Sequence, residues 1–375
     1  MKVESAISGH CAEKFRAVKE SFHANFEAGK EIGAAIALYV DGELAIDLWA
    51  GHHDVEREVP WERDTIVNVW STTKGVTAAC FALAVDRGLC RYDDKVADYW
   101  PEFAARGKED VSIAELLSHQ AGLSAFAEPT TVDDFVNGRA LAGSLAQQAP
   151  LWPPGSRSGY HAITIGFLAA ELFRRIEGRS LASFVEQELA PFDIHIGIRD
   201  SELGRVANVI PPVGMTAEGV VPELDELQSA TLGNPPLEPE AANTKNWRRA
   251  EIPSANGFAN ARGLAGLYSS LLLGAPEAKF RLSSETVKQA TDIRWSGTDA
   301  ILNIEANWAA GFLRNSLSIY GPHAAAFGHS GWGGSFAFAD PESGLAFAYV
   351  MNAMGAELVG DPRAVALVGA VYEAL

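Results

Sequence analysis

The chain has 375 residues, 47% of them hydrophobic and 21% charged, which is long enough for one large domain or for two that share a cleft. Its formal net charge of −18 argues against a nucleic acid or an anionic membrane as partner, because both repel an acidic surface. The N-terminus has no apolar segment typical of a signal peptide, and no run approaches the ~18 apolar residues of a membrane span. Cys11, Cys80 and Cys90 match no metal-binding spacing. We therefore expect a reduced, cytoplasmic, enzyme-sized protein, and the sequence leaves its oligomeric state open.

The first third of the sequence predicts a helix followed by antiparallel strands. Apolar residues at helical spacing predict a helix over 13–29. Two β-rich runs, 32–40 and 44–49, are joined by Asp41-Gly42, which is a strong hairpin signal. A further strand over 64–70 leads into a helix over 73–86. That helix is apolar on nearly every side, so it belongs inside the protein.

The middle of the chain is predicted to be mostly helical. Ser112 and Glu115 form a capping box that begins a short helix over 113–119. Residues 211–239 concentrate proline and glycine, which suggests a lid or a cleft wall. Helical spacing also recurs over 132–138, 141–148, 162–176 and 180–189.

Strands return near the C-terminus, which places them at both ends of the chain with helices between. The fold expected from this order is α+β: a mixed, mainly antiparallel sheet flanked by helices, with a mostly helical domain inserted. The sheet domain would comprise 1–90 and 250–375 and the inserted domain 91–249, with the active site in the cleft between them. The late predicted elements are helices over 256–273, from 283 and over 363–375, and strands over 308–313, 336–340 and 345–351.

A Ser-x-x-Lys pattern stands where the predicted strand over 64–70 meets the buried helix. Residues three apart share a helix face, so the Ser71 hydroxyl can meet the Lys74 amine. The unpaired N–H groups and partial positive charge of a helix N-terminus favour a developing alkoxide. A lysine enclosed by apolar walls loses proton affinity and can act as a base. The alternative is an ordinary helix cap followed by a solvated lysine.

Tyr160 follows a rigid Pro-Pro-Gly loop and precedes another apolar helix. Adjacent cations favour phenolate, so at a cleft this side chain can take the Ser71 proton and pass it to a leaving group. The alternative is a packing tyrosine whose hydroxyl is satisfied.

A glycine-rich stretch over 327–335 precedes the last predicted hairpin. Its glycines let the backbone approach a ligand closely, and an edge strand there offers a free N–H to a substrate carbonyl. Together with the Ser71 N–H, this would complete an oxyanion hole. The alternative is a glycine-rich strand corner. Other nucleophile and cofactor patterns, such as G-x-S-x-G, H-E-x-x-H or a Walker loop, do not occur in the sequence.

The three patterns in this order resemble the serine β-lactamase and penicillin-binding-protein superfamily, and within it the class C-like branch that includes the family VIII carboxylesterases. The resemblance runs from about residue 32 to the C-terminus. Residues 113–123, IAELLSHQAGL, resemble the LLSHTSGL segment of that branch, and Pro154-Gly155 resembles the lead-in to its catalytic tyrosine. Residues 257–265, GFANARGLA, are similar to its GGL-STA-DLA helix start.

The resemblance implies that Ser71 is the acylated nucleophile and Lys74 its activating partner. Tyr160 would be the general base and then the acid to the leaving group. Backbone N–H groups of Ser71 and Trp332 would hold the oxyanion. The residues implied in substrate binding lie in the glycine-rich stretch: His329, Gly331 and Gly333.

Two departures from the lactamase pattern favour esters over lactams. The family's Y-x-N motif is Tyr-His-Ala at 160–162, so the amide that grips an acylamino side chain is missing. The K-T-G strand is replaced by His-Ser-Gly at 329–331, and histidine is a weaker, pH-dependent substitute for the lysine that pairs with a β-lactam carboxylate. Esterases of this family characteristically carry such an H-x-G and a following tryptophan.

The sequence therefore predicts a serine carboxylesterase that cleaves short-chain esters of small molecules by two-step acyl transfer, with no metal or organic cofactor. Three alternatives stay open. The first is a β-lactamase or D-Ala-D-Ala peptidase, the second an acyltransferase that passes the acyl group to an alcohol, and the third a non-catalytic binding protein on the same scaffold.

Overall fold

A computed structural model describes residues 7–212, 224–273 and 280–375 of the chain. Most of the described residues form one nine-stranded sheet with helices packed around it, together with a separate four-stranded sheet. The predicted α+β fold with a mainly antiparallel sheet is confirmed. The helices are α1 (Arg16–Glu27), α2 (Thr73–Asp86), α3 (Val96–Tyr99), α4 (Ile113–Leu117), α5 (Gly138–Gln147), α6 (Thr164–Glu177), α7 (Leu181–Glu188), α8 (Glu226–Leu232), α9 (Lys245–Arg249), α10 (Ala261–Leu273), α11 (Ser284–Thr291) and α12 (Pro362–Glu373).

The strands come from both ends of the chain. The large sheet has the order β1-β3-β2-β13-β12-β11-β10-β9-β8, and every neighbouring pair in it is antiparallel. The strands are β1 (Ser8–Cys11), β2 (Gly33–Val40), β3 (Glu43–Gly51), β4 (Ile66–Asn68), β5 (Ile194–Ile196), β6 (Val206–Ala207), β7 (Gly257–Ala259), β8 (Trp295–Thr298), β9 (Glu305–Trp308), β10 (Leu313–Arg314), β11 (Phe327–Ser330), β12 (Phe336–Asp340) and β13 (Leu345–Met351).

The two hairpins predicted at the ends of the chain are confirmed. Asp41 and Gly42 both adopt positive φ, at 49° and 82°, which is the conformation that a two-residue hairpin turn between twisted strands requires. β13 then pairs with β2 over its whole length, from Leu345 opposite Val40 to Met351 opposite Ala34. The first and last thirds of the chain therefore meet in the middle of the sheet.

Helix α2 is the buried centre of the molecule, as its apolar sequence predicts. All residues from Thr73 to Ala84 are buried, and the helix packs against β11, α6, α7 and α11. A helix that is apolar on every side is most stable when all of its faces are removed from water in this way. Its N-terminus consequently lies inside the protein, where polar side chains need partners.

The predicted helices of the middle segment are present. The capping box of α4 forms as expected, since Ser112 accepts from the Glu115 N–H and Glu115 from the Ser112 N–H. Residues Val132–Asn137 form a 3₁₀-helix that runs into α5.

Three predictions about elements are corrected. The segment predicted as a helix from residue 256 begins instead as strand β7, because its backbone pairs with β4 and β5 before α10 starts at Ala261. The strand predicted over 308–313 is two strands, β9 and β10, which pair with each other across a turn. The small second sheet, β5-β7-β4-β6, includes short strands in a region that was predicted to be mostly helical.

Of the predicted lid over 211–239, residues 213–223 lie outside the described part of the chain, and the remainder contains α8. The division into a sheet domain and an inserted helical domain stays a prediction. Among the described residues, no helix combines the length and the apolar character needed to cross a bilayer.

Candidate active site

The chain makes a tight turn between β4 and α2, and Ser71 lies in it. Trp70 has φ 45°, a conformation that is uncommon for a bulky residue and that costs backbone strain. The turn is held because Thr73 Oγ1 donates to the Trp70 carbonyl at 2.5 Å and accepts from the Gly257 N–H at 2.8 Å. Ser71 therefore stands just before the helix that the sequence predicted, fixed by bonds from the neighbouring strand β7.

Lys74 is buried beside Ser71, and its Nζ lies 3.0 Å from Ser71 Oγ. The same nitrogen donates to the carbonyls of Ala162 at 2.7 Å and of Ser254 at 2.9 Å. Burial lowers the pKa of Lys74 well below its usual range. In the neutral amine, which burial favours, the two carbonyls would take the two N–H groups and the lone pair would face the Ser71 hydroxyl.

Tyr160 completes a cluster with these two residues. Lys74 Nζ lies 4.7 Å from the centre of its ring, and the Ser71 side chain is near enough to the phenol to influence its pKa. Burial raises the pKa of Tyr160 above its usual value, and the nearby Ser71 side chain lowers it by less. The environment thus favours the neutral phenol, in contrast to the phenolate that the sequence suggested.

Two residues that the sequence interpretation missed hold Tyr160 in place. The Asp299 carboxylate, which is fully buried, accepts from the Tyr160 backbone N–H at 3.0 Å and from the Trp308 indole N–H at 3.0 Å. The Trp308 ring stacks on the Tyr160 ring, with 5.7 Å between centroids and an angle of 11° between planes. Neither residue belongs to a motif, so only their contacts reveal them.

The glycine-rich stretch packs against the turn that carries Ser71. A Cβ on Gly331 would lie 2.3 Å from the Val69 carbonyl oxygen, so only glycine allows this close approach. Ser335 joins the same two segments, since its hydroxyl donates to the Val69 carbonyl at 2.8 Å. Gly333 has φ 85°, and a Cβ there would clash with Met354.

The backbone N–H groups of Ser71 and Trp332 are candidates for an oxyanion hole. Among the residues that the structure describes, neither N–H donates a hydrogen bond to a protein acceptor. The Trp332 ring packs edge-on against Trp70, the residue before Ser71, with 5.0 Å between ring centroids. The oxyanion role of the two N–H groups stays a prediction.

His329 lies beside Tyr160, with 6.2 Å between ring centroids, and its side chain is 4% exposed. Nδ1 donates to the Ser330 carbonyl at 2.8 Å, and the buried Nε2 has no partner among the described residues. Burial lowers the pKa of His329 to about 3. The imidazole is therefore neutral at pH 7 and does not supply even the weak, pH-dependent positive charge that the sequence suggested.

Two further histidines near Tyr160 have structural roles. His161 Nε2 accepts from the Leu123 N–H at 2.9 Å while Nδ1 donates to the Gly159 carbonyl at 2.6 Å, which fixes one neutral tautomer. His119 packs against the Tyr160 ring at 4.9 Å, and burial lowers its pKa well below the usual value. His161 thus holds the loop that carries Tyr160 against the segment around Leu123, and its imidazole carries no positive charge.

This arrangement suits acyl transfer by a serine. It combines a hydroxyl, a buried amine 3.0 Å from that hydroxyl, a phenol ring beside the amine, and two backbone N–H groups that donate to no acceptor among the described residues. No three His, Cys, Asp or Glu side chains of the described segments lie together in a way that could hold a metal ion.

Comparison with known proteins agrees with these observations. The chain is 34% identical over 367 residues to Esterase/beta-lactamase LipL from Mycobacterium tuberculosis (strain ATCC 25618 / H37Rv), a match that covers 94% of this chain and 84% of LipL. A crystal structure of a family VIII carboxylesterase superposes with a TM-score of 0.93 at 40% identity, covering 99% of this chain and 100% of the other. A penicillin-binding protein homolog from Caulobacter crescentus gives a TM-score of 0.90 at 43% identity, with 99% and 100% of the two chains covered.

The resemblance found in the sequence is therefore confirmed. The family model described as Beta-lactamase matches residues 19–370, which is nearly the whole chain. The chain belongs to the beta-lactamase family.

Proposed function

We propose that the protein is a serine carboxylesterase that cleaves small, uncharged esters through an acyl-enzyme on Ser71. The observation that carries the proposal is the approach of Lys74 Nζ to Ser71 Oγ at 3.0 Å, with the other two hydrogen bonds of the amine made to backbone carbonyls. The esterase relatives at 34% and 40% identity support the reaction type.

In the first step Ser71 attacks the ester carbonyl carbon. Neutral Lys74 takes the hydroxyl proton as the C–O bond forms, because its pKa is held low by burial and its lone pair faces that proton. The negative charge that develops on the carbonyl oxygen is stabilised by the N–H groups of Ser71 and Trp332. Backbone donors that are already in place need no reorganisation as the charge appears.

The leaving alcohol takes a proton as the tetrahedral intermediate collapses. Tyr160 is the donor, because its raised pKa keeps the phenol protonated and it contacts Ser71. Lys74, now protonated, returns a proton to Tyr160, which restores the amine and the phenol. Water then attacks the acyl-enzyme by the reverse sequence, which releases the acid and restores Ser71.

The substrate preference follows from the charge of the site. A β-lactam or a D-Ala peptide carries a carboxylate, and the residue at the lysine position of lactamases is His329, whose pKa of about 3 leaves it uncharged. Ala162 has no side-chain amide to bind an acylamino group. The partly exposed Trp332, which packs against Trp70, adds apolar surface near Ser71. An uncharged ester therefore binds without leaving an unpaired carboxylate, whose burial would be costly.

The experiment is side-by-side turnover of p-nitrophenyl butyrate and a chromogenic cephalosporin by the wild type and by Ser71→Ala. We expect ester cleavage to exceed lactam cleavage and both to disappear in Ser71→Ala. A circular-dichroism spectrum and a melting curve of the variant establish that its fold is intact.

Other outcomes select the alternatives. Lactam turnover equal to or faster than ester turnover would make the protein a β-lactamase. The relative LipL is named as both an esterase and a beta-lactamase. Ester formation with an added alcohol, in preference to hydrolysis, would make it an acyltransferase. Undiminished turnover by Ser71→Ala would refute the nucleophile assignment itself.

A further inference from the structure

Asp299 is a buried carboxylate close to the proposed active site that the proposed mechanism does not use. It follows strand β8, and its side chain is fully buried. No lysine, arginine or histidine among the described residues forms an ion pair with it. A charged group is rarely buried without a cation unless hydrogen bonds replace the water it has lost.

Hydrogen bonds do replace that water, and they divide between the two oxygens. Oδ1 accepts from the backbone N–H groups of Tyr160, Ile301 and Leu302, each at 3.0 Å. Oδ2 accepts from the Trp308 indole N–H at 3.0 Å and from the Ser158 hydroxyl at 3.3 Å. The carboxylate thus joins the loop that carries Tyr160 to the hairpin formed by β8 and β9.

These contacts determine both the position and the orientation of the phenol. The bond from Oδ1 fixes the Tyr160 backbone, and the bond from Oδ2 fixes Trp308, whose ring lies nearly parallel to the Tyr160 ring. On the edge of both rings, His119 packs at 4.9 Å from Tyr160 and 4.7 Å from Trp308. Asp299 holds both the backbone of Tyr160 and the Trp308 ring that covers one face of the phenol. The phenol therefore has little freedom to rotate.

We infer that Asp299 is a positioning residue for Tyr160, holding the phenol where it can transfer a proton between Ser71, Lys74 and the leaving alcohol. This inference rests on the proposed function. Proton transfer requires heavy atoms at hydrogen-bond distance, and an error of about 1 Å in such a position can cost ~10²-fold in rate. Asp299 itself does not touch the reacting atoms, so it acts only through Tyr160.

The test is a double-mutant cycle with Asp299→Asn and Tyr160→Phe, assayed with p-nitrophenyl butyrate. An amide keeps one acceptor oxygen but presents an NH₂ group to the other donors, so either the backbone or the Trp308 contact is lost. We expect Asp299→Asn to lower kcat by ~10–100-fold with KM nearly unchanged, as for a misplaced catalytic group. In the Tyr160→Phe background the same change should cost little more, because the phenol it positions is absent.

Asp340→Asn is the matched control. Asp340 is also fully buried and accepts from Tyr372 at 2.6 Å and from His323 at 2.7 Å, and it contacts none of the proposed catalytic residues. Its replacement should lower the melting temperature without changing kcat.

Trp308→Phe is a second test of the inference. It keeps an aromatic ring against Tyr160 but removes the indole donor to Asp299. It should lower kcat by less than Asp299→Asn and, again, only when Tyr160 is present.

The outcomes separate this inference from the proposed function. If Tyr160→Phe alone leaves kcat unchanged, the proposed role of Tyr160 fails. If Tyr160→Phe lowers kcat but Asp299→Asn and Trp308→Phe lower it by the same factor with or without the phenol, Tyr160 keeps its role and the positioning role of Asp299 is overturned. A loss of thermal stability in Asp299→Asn with kcat intact overturns it as well.

Discussion

Two neighbouring side chains, Lys74 and Tyr160, have pKa values displaced in opposite directions by the same cause. Burial disfavours whichever form is charged, so it lowers the pKa of the amine and raises that of the phenol. Burial therefore favours the neutral form of both groups. The amine can accept a proton and the phenol can donate one, which is the division of labour that ester cleavage requires.

This division predicts a pH dependence. Because the folded pKa of Lys74 is depressed, its basic form is present above that pKa and is lost as the pH falls through it. We expect kcat/KM for p-nitrophenyl butyrate to fall on the acid side through one ionisation below the usual pKa of lysine. In Tyr160→Phe the rate should be lower by ~10²–10⁴-fold at every pH, with the acid limb at the same position.

The neighbouring histidines do not account for such a limb at neutral pH. His329 and His161 have pKa values of about 3 and about 4, and the pKa of His119 is also lowered. His329→Gln therefore serves as the control and should leave the limb in place. An acid limb that disappears in Tyr160→Phe would instead assign the titrating group to the phenol.

Some residues of the candidate site could be predicted from the sequence and others could not. Ser71 and Lys74 are three residues apart at the start of one helix, so helix geometry alone places their side chains together. Tyr160 was found from its order in the chain relative to a known pattern. Asp299 could not be found in this way, because the loop that bears it follows an edge strand and has no distinctive composition.

At the scale of elements, the central helix α2 shows what local sequence determines. Its bounds, Thr73–Asp86, agree with the predicted helix because its apolar composition is unbroken and Gly88 follows it. Strand β7 was predicted as part of a helix, because a three-residue strand has too little periodicity of its own. It forms through pairing with β4 and β5, which are distant in sequence.

The position of α2 in the core predicts a particular sensitivity at Gly75. A Cβ at Gly75 would lie 2.0 Å from Tyr268 Oη, which is closer than any non-bonded contact allows. Gly75→Ala should therefore lower the free energy of unfolding by ~1–3 kcal/mol, the usual cost of overpacking a core. Urea denaturation followed by circular dichroism gives the value.

Two variants sharpen this prediction. The Tyr268 hydroxyl is buried with no partner among the described residues, so Tyr268→Phe removes the clash at little cost and should restore most of the stability of Gly75→Ala. Gly143 lies on the exposed side of α5, where a methyl group would enter open space, so Gly143→Ala should stabilise by ~0.5–1 kcal/mol. Equal effects of Gly75→Ala and Gly143→Ala would show that the core does not resist the methyl group.

At the scale of the whole molecule, the two ends of the chain meet beside the glycine-rich stretch. Arg363, in the first turn of α12, donates to the Gly333 carbonyl at 2.9 Å and to Glu31 at 3.2 Å, just before β2. It also forms a buried ion pair with Asp361 at 2.8 Å. Nothing in the local sequence around Arg363 indicates that it meets Gly333 and Glu31, because those contacts depend on how β13 pairs with β2.

This network predicts that Arg363 matters for stability and for the proposed oxyanion hole together. Arg363→Gln would leave Asp361, and Glu31 whose pKa burial raises to about 7, without their cation, and loss of one partner of a buried ion pair typically costs ~3–5 kcal/mol. The Gly333 carbonyl would also lose a donor next to Trp332, so kcat should fall, by less than the ~10²–10³-fold that loss of an oxyanion donor costs.

The control is Arg16→Gln, which breaks an exposed pair with Glu20 on α1. It should change stability by no more than ~0.5 kcal/mol and leave kcat unchanged. Urea denaturation and ester turnover are measured for both variants. A stability loss in Arg363→Gln no larger than in Arg16→Gln would mean that the buried carboxylates find other partners. An unchanged kcat in Arg363→Gln would mean that Trp332 holds its position without the arginine.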